Sequence, residues 1–399
     1  MAALLGYTAF FIQMLVRGWL VQDLTHSPFL VAMVPALLML PMLVFTLIGG
    51  EIADRYDRQR TVIYSDVATL TTYVALTALV LSGAVQAWHV LVLTGLHGIS
   101  GALQGPARQS LIADLVPQDA QRNAIGMSPA IFNVAQVVGP ALGGVLLAVF
   151  GVGPSLTVSV VALAAALPVY ARLRPMVRNR TRNAGSMVRH LGSGFRYVAA
   201  NPTIRWFVLA GIVVVLTVNT WTSLFPTLAE DVLRQDAGGL AILTMAVGVG
   251  SLAGSFVAVG VAAQYPERRV EVVTGFAFAA LVGMLAASTF FALSVVIVML
   301  AAAAATTFMV TNMVAVQMAA DPEYRGRVIS VRFVMFGLTP VGMLGLGALA
   351  EVTGVQWALG AFALLGAALF GLVTLLARAP RLGIGMSAVG EARPGASHS

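Results

Sequence analysis

"GGEIADRYDRQR", Gly49 to Arg60, carries charge at six of its twelve positions, within a neighbourhood made mostly of Ala, Val, Leu and Gly. On either side the chain is apolar for about twenty residues, the length one helix needs to cross a hydrocarbon core. The two apolar blocks are predicted to be membrane spans two and three, the first ending at Gly50 and the second beginning near Thr61. A connector this short cannot form a domain and must be a tight turn at a membrane surface. Its mixed signs let acids and bases neutralise one another there, and its two glycines let the flanking helices pack closely.

Gly, Pro and charge clusters punctuate the rest of the chain in the same way. They divide its 399 residues into spans near 2–22, 28–50, 61–82, 87–107, 123–148, 152–171, 205–226, 238–262, 270–289, 292–317, 327–350 and 355–377. Charged residues make up 10% of the chain and hydrophobic ones 59%, whereas soluble domains carry about 25% charged residues. The expected fold class is an all-α integral membrane protein with twelve transmembrane helices in two six-helix halves.

The 23 basic residues are all arginine, and there is no cysteine. With the amino terminus inside, every arginine except Arg17 and Arg234 falls on a connector or tail of one face. Cytoplasmic loops carry the positive excess, so a multi-pass protein of the cytoplasmic membrane with both termini inside is expected. Nucleic-acid binding would need arginines clustered on a soluble face, and here they are spread over short connectors. No basic n-region or small-residue cleavage site precedes the first span, so no cleavable signal is expected. Without cysteine, disulfides and thiolate chemistry are excluded.

The longest connector divides the chain into a six-helix bundle at 1–171, a cytoplasmic linker at 172–204, a second bundle at 205–378 and a disordered cytoplasmic tail at 379–399. In "MVRHLGSGFRYVAANP", Met187, Leu191, Phe195 and Val198 form one apolar stripe with Arg189 and Arg196 off it. That spacing predicts a helix lying along the inner membrane surface. "LVPQDAQRNAI" before span five resembles "AADPEYRGRVI" before span eleven, an internal repeat of the kind transporters use.

Gly50, Asp54, Arg55, Asp57, Arg58 and Arg60 resemble the loop signature of the major facilitator superfamily, with Asp57 in place of its second glycine. "RGWLVQDLTHSP", "PARQSLIADLVP", "NAIGMSPAIFNVAQVVGPALGG" and "YRGRVIS" resemble its enterobactin-exporter-like and macrolide-efflux-like branch. The resemblance runs through almost the whole chain and implies the major facilitator fold. It implies that Asp54 sits against the amino-terminal end of span eleven, where unpaired N–H groups favour a carboxylate, and that Arg58 pairs with Asp114. Such ion pairs would latch the cytoplasmic side and part when the cavity opens inward. Gly139, Pro140, Gly143 and Gly144 match the family's span-five signature, implying a bend and a close helix contact, and a tilt toward export.

The resemblance also places spans one, four, seven and ten around a central cavity. Polar groups expected there are Gln13, Arg17, His97, Gln104, Asn133, Gln136, Asn219, Trp221, Thr306, Thr307 and Asn312. Polar side chains within a bilayer face protein or water and mark pathways. Arg17 could counter an anion, or snorkel outward beside Asp23; His97 could carry a proton, or bond a neighbouring helix. Asp23, Asp66, Asp114, Glu271 and Glu351 are all expected near span ends, which argues against a cationic cargo. An anionic, zwitterionic or neutral amphipathic cargo fits better.

The expected function is therefore a secondary transporter exporting a small molecule by alternating access, with the proton as coupling ion by family analogy. An importer or lysolipid flippase on the same fold is the alternative within transport, and a non-transporting scaffold or receptor the alternative outside it. No nucleotide loop, zinc spacing or placed nucleophile occurs, so neither a cofactor, a metal nor an enzyme activity is expected. The partners expected are the small-molecule substrate and membrane lipid, with the chain a monomer.

Overall fold

Inside a bilayer no water is present to bond backbone N–H and C=O groups, so a chain of this composition must satisfy them within helices. The computed structural model describes residues 2–376 except 56, 116, 174–186, 219, 263 and 322. It describes no side chain at 42–55, 106, 109–110, 112–114, 118–130, 133, 187–191, 218, 262, 330, 333 or 336. The expected tail at 379–399 lies outside the described residues. The first helices are α1 (Ala2–Thr25), α2 (Pro28–Arg55), α3 (Arg58–Leu81), α4 (Ala87–Asp114), α5 (Gln118–Phe150), α6 (Val152–Arg172), α7 (Met187–Ala200) and α8 (Pro202–Val213). They are followed by the short α9 (Phe225–Thr227), α10 (Ala237–Ala262), α11 (Glu267–Ala287), α12 (Phe291–Ala319), α13 (Arg325–Phe336), α14 (Thr339–Thr353) and α15 (Val355–Leu376). Eight described segments are long and apolar enough to cross a membrane, and Pro28–Pro41 and Val134–Phe150 are shorter apolar stretches within α2 and α5.

Local chemistry sets the helix ends. Asp57 caps α3 by accepting from the Arg60 N–H at 2.9 Å, and Asn201 caps α8 by accepting from Thr203 and Ile204, with Pro202 opening the helix. Such caps contribute about 1 kcal/mol each. Gln59 donates to the Tyr170 and Leu173 carbonyls at 2.7 and 2.9 Å, satisfying acceptors that the end of α6 leaves open. A single residue, Gly151, joins α5 to α6 at φ 80°, a conformation that side chains other than glycine's resist.

Two spans depart from expectation. Span seven, expected as one helix over 205–226, belongs to a segment running from Pro202 to Val232. It passes from α8 through a π-helical turn at Val214–Val218, a 3-10 turn at Trp221–Leu224, α9, and a second π-helical turn at Leu228–Val232. Pro226 cannot donate to the ladder, which accounts for irregular turns at that level. Span eleven, expected unbroken over 327–350, is two helices, α13 and α14, parted at Gly337 and Leu338 with Pro340 in the first turn of α14. Proline is favoured at such a start and disfavoured mid-helix.

The same neighbour relations recur along the chain. α2 packs on α4 as α10 packs on α12, α3 on α4 as α11 on α12, and α3 on α6 as α11 on α15. Glycines make the closest of these approaches possible. Gly139 and Gly143 meet Phe11 and Ile12 of α1, Gly144 meets Ala241 of α10, and Gly347 of α14 meets Ala32 of α2.

The connector helix α7 docks on α13. Gly194 lies against the Arg327 carbonyl and Val198 is buried, whereas Phe195, expected on the same stripe, points outward. Tyr197 stacks on Tyr324 at 4.2 Å, donates to Asp321 Oδ2 at 2.9 Å and accepts from the Asp321 N–H. The docked face holds Gly194, Tyr197 and Val198, and the side chains of Met187 and Leu191, expected on the same stripe, lie outside the described residues. Replacing Tyr197 with Ala is expected to weaken docking by about 1–2 kcal/mol. Amide exchange should accelerate in α7 and stay unchanged in α10.

Candidate functional site

Gln13 and Arg17 stand four residues apart on α1, so they share one helix face. Both are buried. Arg17 Nε donates to Gln13 Oε1 at 2.9 Å, and Gln13 Nε2 donates to Ser159 Oγ on α6 at 2.7 Å. Arg17 Nη1 lies 3.4 Å from Thr94 Oγ1 and 3.2 Å from His97 Nδ1, both on α4. The guanidinium also lies over the Tyr73 ring at 5.2 Å. His97 stands edge-on to Tyr73 and Phe10. With a relative exposure of 2%, Arg17 is held inside the protein and does not snorkel toward Asp23. A guanidinium only donates, so His97 Nδ1 accepts and its ring proton sits on Nε2. Among the described residues, the buried Arg17 Nη2 has no hydrogen-bond partner. A cation with a spare donor can hold an anion or a carbonyl oxygen that reaches it.

A second cluster lies between α3 and α4. Gln104 Nε2 donates to Asp66 Oδ1, and Arg108 Nη2 lies 3.5 Å from the same oxygen. The Arg108 guanidinium sits over Tyr7 and Tyr170, at 5.2 and 5.5 Å. In the second half, Asn312 of α12 donates from Nδ2 to Glu271 Oε2 on α11 at 3.1 Å and to the Phe207 carbonyl at 2.8 Å. Arg332 of α13 donates to Asn312 Oδ1 at 2.9 Å and to the Met309 carbonyl at 3.1 Å. Asp66 and Glu271 lie toward the first ends of α3 and α11, yet both are buried against neighbouring helices, with relative exposures of 1% and 0%. Sequence spacing alone misses them because each falls within the first three turns of its helix, where water and protein are equally plausible neighbours. The available signal is that "IYSDVATL" and "RRVEVVTG" each set one acid among apolar residues on the buried side of a helix.

Other candidates are dispersed. Trp221 is a packed core residue, edge-on to Phe225 and Phe278. Thr307 donates to the Gly254 and Ala303 carbonyls, tying α12 to α10, while Thr306 is part-exposed beside it. Gln136 is half-buried, its carbonyl near Gly248. Pro140 is buried within α5. Asn219 and the side chain of Asn133 lie outside the described residues, as do the side chains of Gly50, Asp54, Arg55 and Asp114 from the expected latch. Asp57 and Arg60 are exposed and Arg58 half-buried.

The opposite face is closed by contacts between the first and second runs of helices. Gln22 accepts from Thr227 Oγ1 at 2.7 Å and donates to Asp231 at 3.3 Å. Glu351 at the end of α14 accepts from Ser27 Oγ at 2.7 Å and the Phe29 N–H at 3.1 Å, holding the start of α2. His26 and Glu230 pair at 3.8 Å. None of these residues is among the expected gating set; their signal is only that polar groups follow the ends of α1 and α9.

Residues 1–384 match the family described as transmembrane secretion effector. The chain belongs to this family of major facilitator transporters. Among similar proteins, the multidrug efflux pump Tap of Mycolicibacterium fortuitum is 27% identical over 355 residues, covering 85% of each chain. Macrolide efflux protein A of Streptococcus pyogenes is 23% identical over 357 residues, covering 88% of this chain and 87% of that protein. The crystal structure of the nucleoside transporter NupG superposes with a TM-score of 0.78 at 12% identity, covering 95% of this chain and 98% of that one. That likeness establishes the major facilitator fold. For a transmembrane secretion effector of this fold, the buried Arg17 cluster between α1 and α4 is the chemically most distinctive polar centre.

Proposed function

We propose that this chain is a proton-coupled secondary exporter of a small amphipathic molecule, working by alternating access of two six-helix halves through twelve spans. The observation that carries the cargo chemistry is Arg17: a buried guanidinium with a bare Nη2, beside His97, Gln13 and Thr94, and with no carboxylate among its hydrogen-bond partners. Anionic, zwitterionic or carbonyl-rich neutral cargo suits that donor. The family and its efflux relatives support export of drug-like or related small molecules. The closed face lies opposite the charged 49–60 connector; with arginine-rich connectors placed inside, it is the outer face, both termini are cytoplasmic and the membrane is the cytoplasmic one. Asp54, Arg55, Arg58 and Asp114 form the inner latch in this reading, and a monomer suffices.

The test is uptake of labelled erythromycin and a panel of amphipathic acids into inverted vesicles with an imposed pH gradient. Gradient-driven accumulation of at least one compound is expected. Accumulation of none, with the protein correctly inserted, would sink the export reading.

A further inference from the structure

Two clusters, one on α3 and α4 and one on α11 and α12, pair a carboxylate with a carboxamide in a similar way. In each, a carboxylate (Asp66 on α3, Glu271 on α11) accepts from a carboxamide (Gln104 on α4, Asn312 on α12). An arginine completes each set. In each, the second carboxylate oxygen, Asp66 Oδ2 or Glu271 Oε1, is buried with no hydrogen-bond partner among the described residues. A buried carboxylate oxygen without a donor is costly unless a charge or a proton compensates it.

The two differ in how the charge is met. Asp66 has Arg108 directly against it at 3.5 Å. Among the described residues no ion pair includes Glu271. Arg332 reaches it through Asn312, whose Oδ1 takes the guanidinium and whose Nδ2 gives to the carboxylate. Among the described residues, the other charges near Glu271 include Glu267 and Arg268 on α11, and Arg268 reaches the Trp206 ring and the Thr374 carbonyl. Of the helices packed around it, α10, α12 and α15 have no charged residue, and Arg205 of α8 is turned to the Ala199 carbonyl. The first acid is held in a fixed ion pair, and the second is left with room for one proton.

Resting on the transport reading above, we propose that Glu271 is the site that binds and releases the coupling proton, with Asn312 and Arg332 reporting its state to α8, α12 and α13. A proton from water bonds to Glu271 Oε1, leaving Oε2 as an acceptor from Asn312. The charge-assisted Asn312 bond becomes an ordinary one of about half the strength, loosening the tie among α11, α12 and the Phe207 carbonyl of α8. Release of the proton restores the tie. Asp66 keeps its charge throughout and serves the first half as a fixed brace.

The test uses the whole protein in lipid. Infrared difference spectra across a pH titration should show a protonated-carboxyl band in wild type and in Asp66→Asn, absent in Glu271→Gln, and present with a moved midpoint in Glu271→Asp. The chain has no native cysteine, so spin labels at Ala171→Cys and Gln264→Cys, exposed positions on the two halves, report their separation directly. Their distance distribution should shift with pH in wild type and Asp66→Asn and stay fixed in Glu271→Gln. A titrating band that survives in Glu271→Gln, or a label shift unchanged in it, overturns the assignment. If wild-type vesicles accumulate neither erythromycin nor any acid of the panel while the Glu271-dependent band still titrates, the transport reading fails and the proton site stands.

Discussion

Replacing Arg17 with alanine is expected to lower the initial rate of gradient-driven transport about 10- to 150-fold. A hydrogen bond to a charged group is worth about 1.5–3 kcal/mol, and Arg17 Nη2 is the one guanidinium nitrogen without a hydrogen-bond partner among the described residues. The substitution also strips Gln13 Oε1 and His97 Nδ1 of their donor, so a loss of stability of about 1–3 kcal/mol accompanies it. Arg17→Lys separates the two effects. Lysine keeps the charge but lacks the planar fork that serves Gln13, Thr94 and a further acceptor at once. The lysine variant should recover thermal stability more fully than transport. His97→Ala removes one acceptor and no charge, so its loss should be smaller, about tenfold or less. The measurement is vesicle transport normalised to inserted protein, alongside thermal unfolding in detergent. Unchanged transport in Arg17→Ala would remove this residue from the cargo site.

How far the sequence carries this picture depends on what sets each feature. Helices are legible because bilayer thickness and backbone desolvation force apolar blocks of one length, and because arginine marks the connectors between them; the family is legible only through the resemblance of the 49–60 loop and of stretches such as "YRGRVIS" to its motifs. Arg17 and His97 are legible as a pair only by exclusion, as charged or titratable groups inside apolar blocks; that they touch depends on how α1 packs on α4. The Asp66 and Glu271 clusters lie beyond that logic. Each acid is a few residues from a charged connector, and only packing of α3 on α4 and α11 on α12 turns a plausible surface group into a buried one. The breaks in spans seven and eleven are partly legible, since Pro226 and Pro340 interrupt apolar runs. The capping role of Asp57 is hidden by its membership of a charged cluster that invites an ion-pair reading. The docking of α7 on α13 is not legible, because tyrosine at 197 counts as polar in a hydrophobicity pattern and yet stacks on Tyr324 and bonds Asp321.

Gly144→Val and Gly347→Val are each expected to slow net transport about 5- to 150-fold by holding the closed face apart. At 144 the place of a new Cβ is already filled by the Ala241 side chain of α10, and at 347 by Ala32, with the backbone of Phe29 and Pro28 behind it at 3.2 and 3.3 Å. Neither obstacle is the end of a flexible side chain, so the helices themselves must separate. Overpacking of this kind costs about 1–3 kcal/mol. Because the contacts lie between the two runs of helices, the strain acts on the closed state and is relieved when that face opens. A bias of that size shifts the balance of states about 5- to 150-fold. A reporter cysteine at Thr227, fully buried behind the Gln22 contact, should react with a membrane-impermeant maleimide several-fold faster in both variants than in the parent. Gly101→Val is the control, since nothing lies within 4 Å of its new Cβ, and it should transport and label as the parent does. Alternating access makes a specific demand here: a transporter that cannot close this face cannot complete its cycle, however well it binds cargo. Normal transport in Gly144→Val and Gly347→Val, or unchanged Thr227→Cys labelling, would show that these tight glycine contacts are packing conveniences and that the closing surface lies elsewhere.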